Sequence, residues 1–545
     1  MPDVWTILVV AIAVLIAIPV AVVASSVLTP AGDVWQRLAE TVLPRYIRNS
    51  LYLMAGVGIG VVTIGVSTAW LVALCRFPGR RIFEWALLLP MAAPAYVLAY
   101  TYTDLLDVTG PLQTQLRELF DWSVRDYWFP PVRSLGGAIA MLTLVLYPYV
   151  YLPTRVAFLE QSKSTLDASR SLGRGPWSTF WTVALPLARP AIVGGTALAL
   201  METLNDFGTV QFFGVETFST GIYRTWFNMG ERVAASQLAA LLLLFVIAVV
   251  TLERWTRGRT RYDQTGNPQG QSLSYSLGGW WACGAILACG LPLGFGFIIP
   301  GYALWGMAME EAGYGLEKQF WTYAYHSFLM AAIAALATVL LGLVMAYGRR
   351  LHATPLMKWG TRLAAMGYAI PGAVIAVGIL IPIGNFDRAV DSVARSLFGV
   401  STGLLLGGTT VALLFAYVVR FLAVSFNTLE VGLLRIRPTL DDAARSLGYS
   451  PTKTLTRVHA PLMLSSISTA AMLVFVDVVK ELPATLVLRP FNFDTLATRV
   501  YRLASDERLA ESAPGSLAIA LVGMIPVVAL IWTLRQRPPL VAGKK

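Results

Sequence analysis

A motif that the chain contains twice constrains its fold more than any other feature. The stretch Leu166-Asp-Ala-Ser-Arg-Ser-Leu-Gly173 returns as Asp442-Ala-Ala-Arg-Ser-Leu-Gly448. Each glycine is followed thirteen residues later by a proline, Pro186 in the first copy and Pro461 in the second, and the offset between the copies is 275 residues throughout. A shared spacing without gaps indicates an internal duplication. Any fold of this chain must therefore contain one unit twice.

Composition places both copies in a membrane. Of the 545 residues 56% are hydrophobic and only 13% are charged, whereas soluble proteins have about 25% charged residues. The net charge of +11 could indicate nucleic-acid binding, but the basic residues fall in short clusters between apolar runs, as in the cytoplasmic loops of membrane proteins. We therefore predict a multi-pass membrane protein that binds lipid and no nucleic acid. The three cysteines form neither a zinc pattern nor a disulfide framework.

Each half contains six apolar runs of about the length needed to span a bilayer. The first run has no Lys or Arg before it and is too long for the apolar part of a signal peptide, so we predict a retained helix. A polar, turn-rich segment separates the halves, which gives a first transmembrane domain at 1–262, a linker at 263–276 and a second transmembrane domain at 277–545. The predicted spans are 5–28, 51–75, 82–103, 134–158, 190–212 and 236–252, then 277–300, 323–348, 361–383, 403–426, 463–482 and 515–534.

The basic clusters predict the orientation of the twelve spans. They follow the even-numbered spans, while the loops after spans 3 and 7 are acidic. Positive loops face the cytoplasm, so both termini and both duplicated loops are expected on that side.

Each duplicated loop has the features of a short surface helix. Asp167 and Asp442 open the copies, and a negative charge stabilises a helix N-terminus. Gly173 and Gly448 allow a sharp stop, because glycine adopts positive φ without penalty. Two such helices, one in each half, predict a docking surface with two equivalent contacts.

This spacing resembles the EAA loop of the importer-type permeases of ATP-binding-cassette (ABC) transporters. Both copies have Asp in place of the usual Glu, Ser169 replaces the second Ala of the first copy, and Ala460 stands where Leu is usual. The matching positions are Asp167, Ala168, Ser169, Gly173, Leu185 and Pro186 in the first copy, and Asp442, Ala443, Ala444, Gly448 and Pro461 in the second.

The resemblance implies an all-α membrane protein of the type I ABC-importer permease fold, with two tandem six-helix halves. It also implies that each loop seats in a cleft of an ATPase subunit and that the chain lies in a bacterial inner membrane beside a periplasmic substrate-binding protein. The chain has no Gly-x-x-x-x-Gly-Lys-Ser/Thr phosphate loop. We therefore expect no enzymatic activity and no cofactor in this chain, with ATP and Mg²⁺ bound by two copies of a separate ATPase.

A second repeated stretch follows each loop. Glu202, Asn205 and Asp206 match Asp477, Lys480 and Glu481 at the same offset. Positions i, i+3 and i+4 share one face of a helix, and ionisable groups at membrane depth commonly mark a pathway. These six residues are therefore candidates for lining the translocation path. The alternative is that Lys480 pairs with Asp477 or Glu481 and fixes a helix end.

The stretch from Lys480 to Tyr501 is similar to a segment of ferric-iron permeases, which implies Fe(III) as the cargo. Fused permeases for thiamine or phosphonate share the architecture and remain alternatives. A secondary transporter would need a coupling-ion site near the midplane and has no use for two docking loops. His326, His352 and His459 are scattered and give no visible metal-ligand cluster, and His459 is expected to be an ordinary polar residue of a cytoplasmic loop.

Overall fold

The computed structural model describes residues 4–30, 32–161, 169, 171, 173, 175–257, 275–312, 318–352 and 354–535. Helices dominate this part of the chain. In the first half they are α1 (Val4–Ser25), α2 (Gly32–Thr41), α3 (Leu43–Leu74), α4 (Arg80–Ala86), α5 (Ala95–Leu106), α6 (Pro111–Phe120), α7 (Leu135–Leu146), α8 (Pro148–Glu160), α9 (Pro176–Thr179), α10 (Leu185–Asn205), α11 (Gly208–Phe212), α12 (Phe218–Tyr223) and α13 (Arg232–Arg257).

The second half continues with a matching series. Its helices are α14 (Trp280–Leu293), α15 (Ile299–Ala312), α16 (Lys318–Leu351), α17 (Pro355–Ala364), α18 (Gly372–Phe398), α19 (Thr410–Leu434), α20 (Thr439–Ser446), α21 (Pro451–Thr454), α22 (Ala460–Leu462), α23 (Leu464–Val479), α24 (Pro483–Leu488), α25 (Leu496–Ser505) and α26 (Leu509–Arg535). Short 3₁₀ turns lie at Ser26–Leu28, Leu89–Ala92 and Gly367–Ala369, and π-helical turns at Phe180–Ala184, Arg224–Asn228, Gly294–Ile298 and Leu455–His459. Strands β1 (Cys75–Arg76) and β2 (Tyr275–Ser276) pair in parallel.

Twelve membrane spans match the twelve predicted from the apolar runs. In the described residues nine helices are long and apolar enough to cross a membrane, and three bent helix pairs bring the number to twelve when each pair is one span. The predicted span 82–103 is one of these pairs, bent by 91° between Ala92 and Ala95. Pro94 lies at this break, and Ala93 before it has extended backbone, because proline disfavours the helical conformation in the residue before it. The prediction of an all-α fold with about twelve spans is confirmed.

Packing divides the chain into two compact units that each combine separate stretches. One unit comprises Met1–Leu38, Gly221–Leu243 and Leu316–Val500, and the other Ala39–Thr220, Leu244–Gly315 and Tyr501–Lys545. These units are defined by contacts, whereas the predicted domains 1–262 and 277–545 are defined by the repeat and stay a prediction. Of the predicted linker 263–276, only Tyr275 and Ser276 lie within the described residues.

The first unit is organised around the packing of α1 against helices that come much later in the chain. Helix α1 packs on α16, α17 and α18. At Gly378 of α18 the backbones approach so closely that a Cβ atom would lie 2.3 Å from the carbonyl oxygen of Pro19. The absence of a side chain at Gly378 therefore allows this contact, as is common where membrane helices pack tightly.

The second unit is built around α3, α8 and α10, which pack against one another. Trp70 of α3 lies edge-on to Phe158 and Phe180, with ring centroids 5.6 Å and 4.9 Å apart. Helix α26 closes on the 3₁₀ turn Leu89–Ala92. A Cβ atom at Gly523 would lie 2.0 Å from the carbonyl oxygen of Ala92.

The duplication is visible in local geometry as well as in sequence. Gly173 and Gly448 both have φ of +76°. The helices α9 and α21, the π-helical turns that follow them, and the starts of α11 and α24 are each 275 residues apart. Two stretches with few identical residues thus adopt the same succession of turns.

Candidate coupling and pathway sites

The second duplicated loop forms a short helix with most of its surface exposed. Helix α20 has Asp441 and Asp442 in its first turn, where negative charge is favoured. Among its residues only Ala444 is fully buried, at 4% exposure, while Asp442 and Ala443 are exposed. Gly448 ends the helix with positive φ and is preceded by Leu447, which is 75% exposed. The loop thus presents a short polar helix tipped by an uncovered leucine.

The first duplicated loop is described only in part. Asp167 and Ala168 lie outside the described residues. Ser169 is buried, and its hydroxyl lies 3.0 Å from that of Thr179 at the end of α9. Ser169 occupies the position of Ala444 and Thr179 that of the buried Thr454. This position of the motif is therefore a packing contact in both copies, which explains why it holds a small residue.

The segments that connect the two loops to the next membrane span differ. Leu185 begins α10 directly after a π-helical turn, and Pro186 is the second residue of α10. Residues Trp177–Asn205 then form one span. In the second copy Pro461 lies in α22, and the chain bends by 80° between Leu462 and Leu464 before α23 begins.

A buried polar network holds α20 to two other elements of its unit. Arg350, at the end of α16, donates from Nε and Nη2 to Oδ2 of Asp441 at 2.9 Å and 2.5 Å. The same guanidinium donates to the carbonyl oxygens of Leu433 and Ile436. Nε2 of His459 lies 2.6 Å from Oδ1 of Asp441. Helix α20 is thereby held both to the long helix α16 and to the π-helical turn Leu455–His459 that follows the duplicated loop.

The network determines the charge of Asp441. Burial raises the pKa of the Asp441 carboxyl, but hydrogen bonds from Arg350 and His459 outweigh burial and hold the pKa below its ordinary value. His459 is fully buried. The expectation that His459 is an ordinary polar residue was therefore wrong, because burial within a loop leaves no periodic pattern in the sequence.

The network belongs to one copy only. At the 275-residue offset, Cys75, Leu166 and Ala184 stand in the places of Arg350, Asp441 and His459. A comparison of the two copies position by position would have revealed these three residues, since each polar residue of the second copy has an apolar counterpart in the first. The prediction from the motif missed it because Asp441 precedes the motif by one residue.

The candidate pathway residue Asp206 lies just beyond the end of α10, which ends at Asn205. Its carboxylate accepts hydrogen bonds from the Thr209 hydroxyl at 3.0 Å and from the Val210 N–H at 3.1 Å. It therefore caps the short helix α11. The Asp206 N–H still donates to the carbonyl oxygen of Glu202 at 2.9 Å, as in a helix, so Asp206 is the last position of the predicted helix face, and its role in the pathway stays a prediction.

Glu481 performs the same capping for α24 in the second half. It accepts the N–H groups of Ala484 and Thr485 at 2.9 Å and 3.0 Å. Glu481 is 4% exposed, and Oε1 lies 3.5 Å from Nη1 of the equally buried Arg420.

Lys480 forms an ion pair with Asp477 at 2.8 Å. Helix α23 ends at Val479, and Lys480 is its C-cap with helical backbone, so Asp477 and Lys480 lie on one face of the helix end, whereas Glu481 lies beyond it. Of the partners left open for Lys480, the structure favours Asp477. The pair ties down the end of α23.

The remaining pathway candidates, Glu202 and Asn205, are half-buried. Within the described ranges no group of three His, Cys, Asp or Glu side chains lies close enough together to hold a metal ion. The arrangement thus offers capped helix ends that carry acids.

Comparison with known proteins places the chain among transport permeases. The family model described as "Binding-protein-dependent transport system inner membrane component" matches residues 61–262. The chain is 27% identical over 495 residues to the Fe(3+)-transport system permease protein FbpB 2 of Haemophilus influenzae, a match that covers 89% of each chain.

Two further relatives differ in how much of the chain they cover. The putative ferric transport system permease protein FbpB 1 of the same organism is 24% identical over 86% of this chain and 73% of its own. The putative 2-aminoethylphosphonate transport system permease protein PhnU of Salmonella choleraesuis is 26% identical over 39% of this chain and 74% of its own. With its helical fold and its membrane spans, the chain therefore has the type I ABC-importer permease fold of a multi-pass membrane protein, and its residues 61–262 are similar to the family of binding-protein-dependent transport system inner membrane components.

Proposed function

We propose that this chain imports ferric iron delivered by a periplasmic binding protein and is driven by separate ATPase subunits. The observation that supports iron as the cargo is the extent of the sequence matches. The two ferric permeases match 89% and 86% of the chain, including both copies of the duplicated loop. The phosphonate permease matches 39% and makes phosphonate the second candidate. Thiamine has no comparable support.

The proposed energy source for transport is a pair of ABC ATPase subunits that bind ATP and Mg²⁺ and contact the two duplicated loops. The exposure of α20 and Leu447 supports this role, because an uncovered apolar side chain on a polar helix suits a protein contact. The clustering of basic residues in the same loops supports a cytoplasmic location of the loops and of both termini. The proposed membrane is a bacterial inner membrane.

Uptake in a strain that lacks the native gene tests the cargo. Cells that express the chain with its neighbouring binding protein and ATPase should take up labelled Fe(III), and excess unlabelled 2-aminoethylphosphonate or thiamine should not compete. Iron uptake at the level of the empty strain, together with uptake of labelled phosphonate, would reverse the order of the two candidates.

A pair of matched substitutions tests the docking surface. Leu447→Asp places a charge on the tip of α20 and should lower ATPase co-purification at least about tenfold, the effect of losing a central interface side chain. Leu404→Asp changes an equally exposed leucine between α18 and α19, which is predicted to lie on the opposite side of the membrane, and should leave co-purification unchanged. Equal recovery of ATPase with both variants would contradict the proposed contact.

A further inference from the structure

A long apolar groove lies between α3, the segment that leads from the first duplicated loop into α10, and the start of α14, all within one compact unit. Its volume is about 1390 Å³, and its wall includes Trp70, Trp177 and Ile192. Between Trp177 and Ile192 the span Trp177–Asn205 rises by roughly 22 Å, whereas the hydrocarbon of one bilayer leaflet is about 15 Å thick. The groove is therefore long enough to run from the headgroups to the middle of the membrane.

Three tryptophans mark the end of the groove that lies at the membrane surface. Trp177, Trp181 and Trp281 line the groove and are between 61% and 69% exposed, and tryptophan is enriched where membrane and water meet. Strands β1 and β2 pair at the same end, where the exposed Arg76 lies opposite the groove-lining Ser276. The basic clusters after spans 2 and 4 predict that this end faces the cytoplasm.

Among the described residues that line the groove, Arg189 of α10 is the basic one. Its side chain is exposed and forms no ion pair or hydrogen bond within the described part of the chain. Arg189 lies about one helical turn after Leu185, which begins α10, and an arginine near a helix end extends its side chain to the membrane surface. A guanidinium binds phosphate through two parallel hydrogen bonds. Arg189 therefore has no anionic partner of its own and lies where the phosphate of a lipid can provide one.

The second copy of the repeat lacks these features. At the 275-residue offset, the positions of three tryptophans and the arginine are occupied by residues without an aromatic ring or a charge, with Met345, Thr452, Thr456 and Leu464 in the places of Trp70, Trp177, Trp181 and Arg189. The second copy has the same succession of turns, so neither the shared fold nor the shared motif requires these four side chains. They belong to a role that only the first half has.

We propose that this groove binds an anionic glycerophospholipid of the cytoplasmic leaflet, with the phosphate at Arg189 and an acyl chain between α3 and α10. The site takes only its cytoplasmic side from the function proposed above and does not depend on the cargo. A helix of a partner protein would have to bring an acid into the hydrocarbon to neutralise Arg189, which is rare, whereas a lipid carries its phosphate at the membrane surface. Basic pockets between membrane helices on the cytoplasmic side bind lipid headgroups in this way.

Native mass spectrometry of the purified full-length chain tests the headgroup contact. The chain is mixed with equal amounts of phosphatidylglycerol and phosphatidylcholine that have the same acyl chains, and wild type should retain phosphatidylglycerol in preference. Arg189→Leu introduces the residue of the second copy and should lower this preference about fivefold. Arg254→Leu is the matched control, because Arg254 is an exposed arginine of α13 in the same unit that does not line the groove, and it should leave the preference unchanged.

A second variant tests the acyl-chain contact while Arg189 stays in place. A Cβ atom at the groove-lining Gly284 of α14 meets no neighbour within 4 Å, so Gly284→Leu fills part of the groove without a clash. It should lower the retained amount of both lipids relative to Arg254→Leu. Retention of both lipids at the wild-type level in Gly284→Leu would show that the acyl chain lies elsewhere and would overturn the proposed site.

The other outcomes separate the lipid site from the proposed function. A preference that falls in Arg189→Leu and holds in Arg254→Leu supports the site. Equal preference in these two variants overturns it, and so does retention of neither lipid by wild type, the result expected if a helix of a partner protein occupies the groove. Uptake of labelled Fe(III) by cells is measured in parallel. Normal uptake without a lipid preference leaves the permease function standing, whereas an Arg189-dependent preference in a chain that takes up no iron leaves the lipid site standing.

Discussion

The contrast between Asp441 and Asp442 gives the sharpest test of how α20 is held. The two residues are adjacent, belong to the first turn of one helix and carry the same charge. The Asp441 side chain is 14% exposed and paired with Arg350, which is 16% exposed. The Asp442 side chain is 70% exposed and lies 3.5 Å from an equally exposed Arg445. The same change to asparagine therefore removes a buried charge in one case and a solvated one in the other.

The expected cost follows from burial. Removal of one partner from a buried ion pair leaves the other charge uncompensated and costs about 3–5 kcal/mol, whereas an exposed pair contributes about 0–1 kcal/mol. The interaction of an acid with the helix N-terminus is common to both positions and cancels in the comparison. We expect Asp441→Asn to lower the free energy of opening α20 by about 3 kcal/mol more than Asp442→Asn.

Hydrogen–deuterium exchange of the α20 amides measures this difference directly. If each 1.36 kcal/mol is a factor of ten, Asp441→Asn should accelerate exchange by roughly 100-fold, and Asp442→Asn by less than about fivefold. Peptides from α26, in the other compact unit, should exchange at the wild-type rate in both variants. Equal protection of α20 in the two variants would refute the conclusion that Arg350 and His459 anchor the helix through Asp441.

The pH dependence of the same difference provides a second check. The pKa of Asp441 is lowered in the folded chain, so its contribution to stability is present above the unfolded value of about 3.9 and is lost as the pH falls through the folded value. The gap between wild type and Asp441→Asn should therefore shrink in strong acid, as the pH falls through the folded pKa of Asp441. A gap that stays undiminished below about pH 2 would contradict this assignment.

Two glycine substitutions test backbone geometry, each with a control glycine that has open space around it. Gly448→Ala should destabilise the chain by about 1–2 kcal/mol. A Cβ atom at this position meets no neighbour, so the cost is that of the positive φ alone. Gly175→Ala is the control, because a Cβ atom there also meets no neighbour and φ is not positive, and thermal unfolding should show no measurable loss of stability. Gly378→Ala should lower the melting temperature markedly, because its Cβ atom would lie 2.3 Å from the carbonyl oxygen of Pro19. Gly384→Ala is the control on the same helix and has open space around it. It should leave the stability unchanged or raise it slightly, since alanine favours a helix over glycine by about 1 kcal/mol. A melting temperature of Gly378→Ala equal to that of Gly384→Ala would contradict the packing of α1 on α18.

The number and order of the spans could be predicted because the signal is strong and local. A bilayer requires about 20 consecutive apolar residues, and twelve such runs stand out in this chain at the positions where the structure has its spans. The glycine stops of the duplicated loops were predictable for the same reason, since a positive φ favours one residue type. Gly173 and Gly448 both adopt it.

The contacts between distant segments could not be predicted from periodicity. The spacing of Glu202 and Asp206 fits a helix face, but the helix ends at Asn205 and Asp206 becomes a cap. A carboxylate two residues before a short helix is an ordinary capping arrangement, and sequence spacing alone does not show where the long helix stops. His459 was misread because its burial depends on Asp441, eighteen residues away in the chain.

The two halves share the same succession of helices and turns but differ in which of their acidic side chains have basic partners. In the second half each critical acid has a basic partner within its own unit, Arg350 and His459 for Asp441 and Arg420 for Glu481. The first half has Cys75, Ala184 and Val145 at the positions of those three partners. Under the proposed function, an acid that is already paired and buried gains little from a passing cation, so Asp206, which forms no ion pair with a basic side chain among the described residues, is the better of the two candidates for cargo contact. A duplicated scaffold can in this way give its two halves different electrostatic environments without any change in topology.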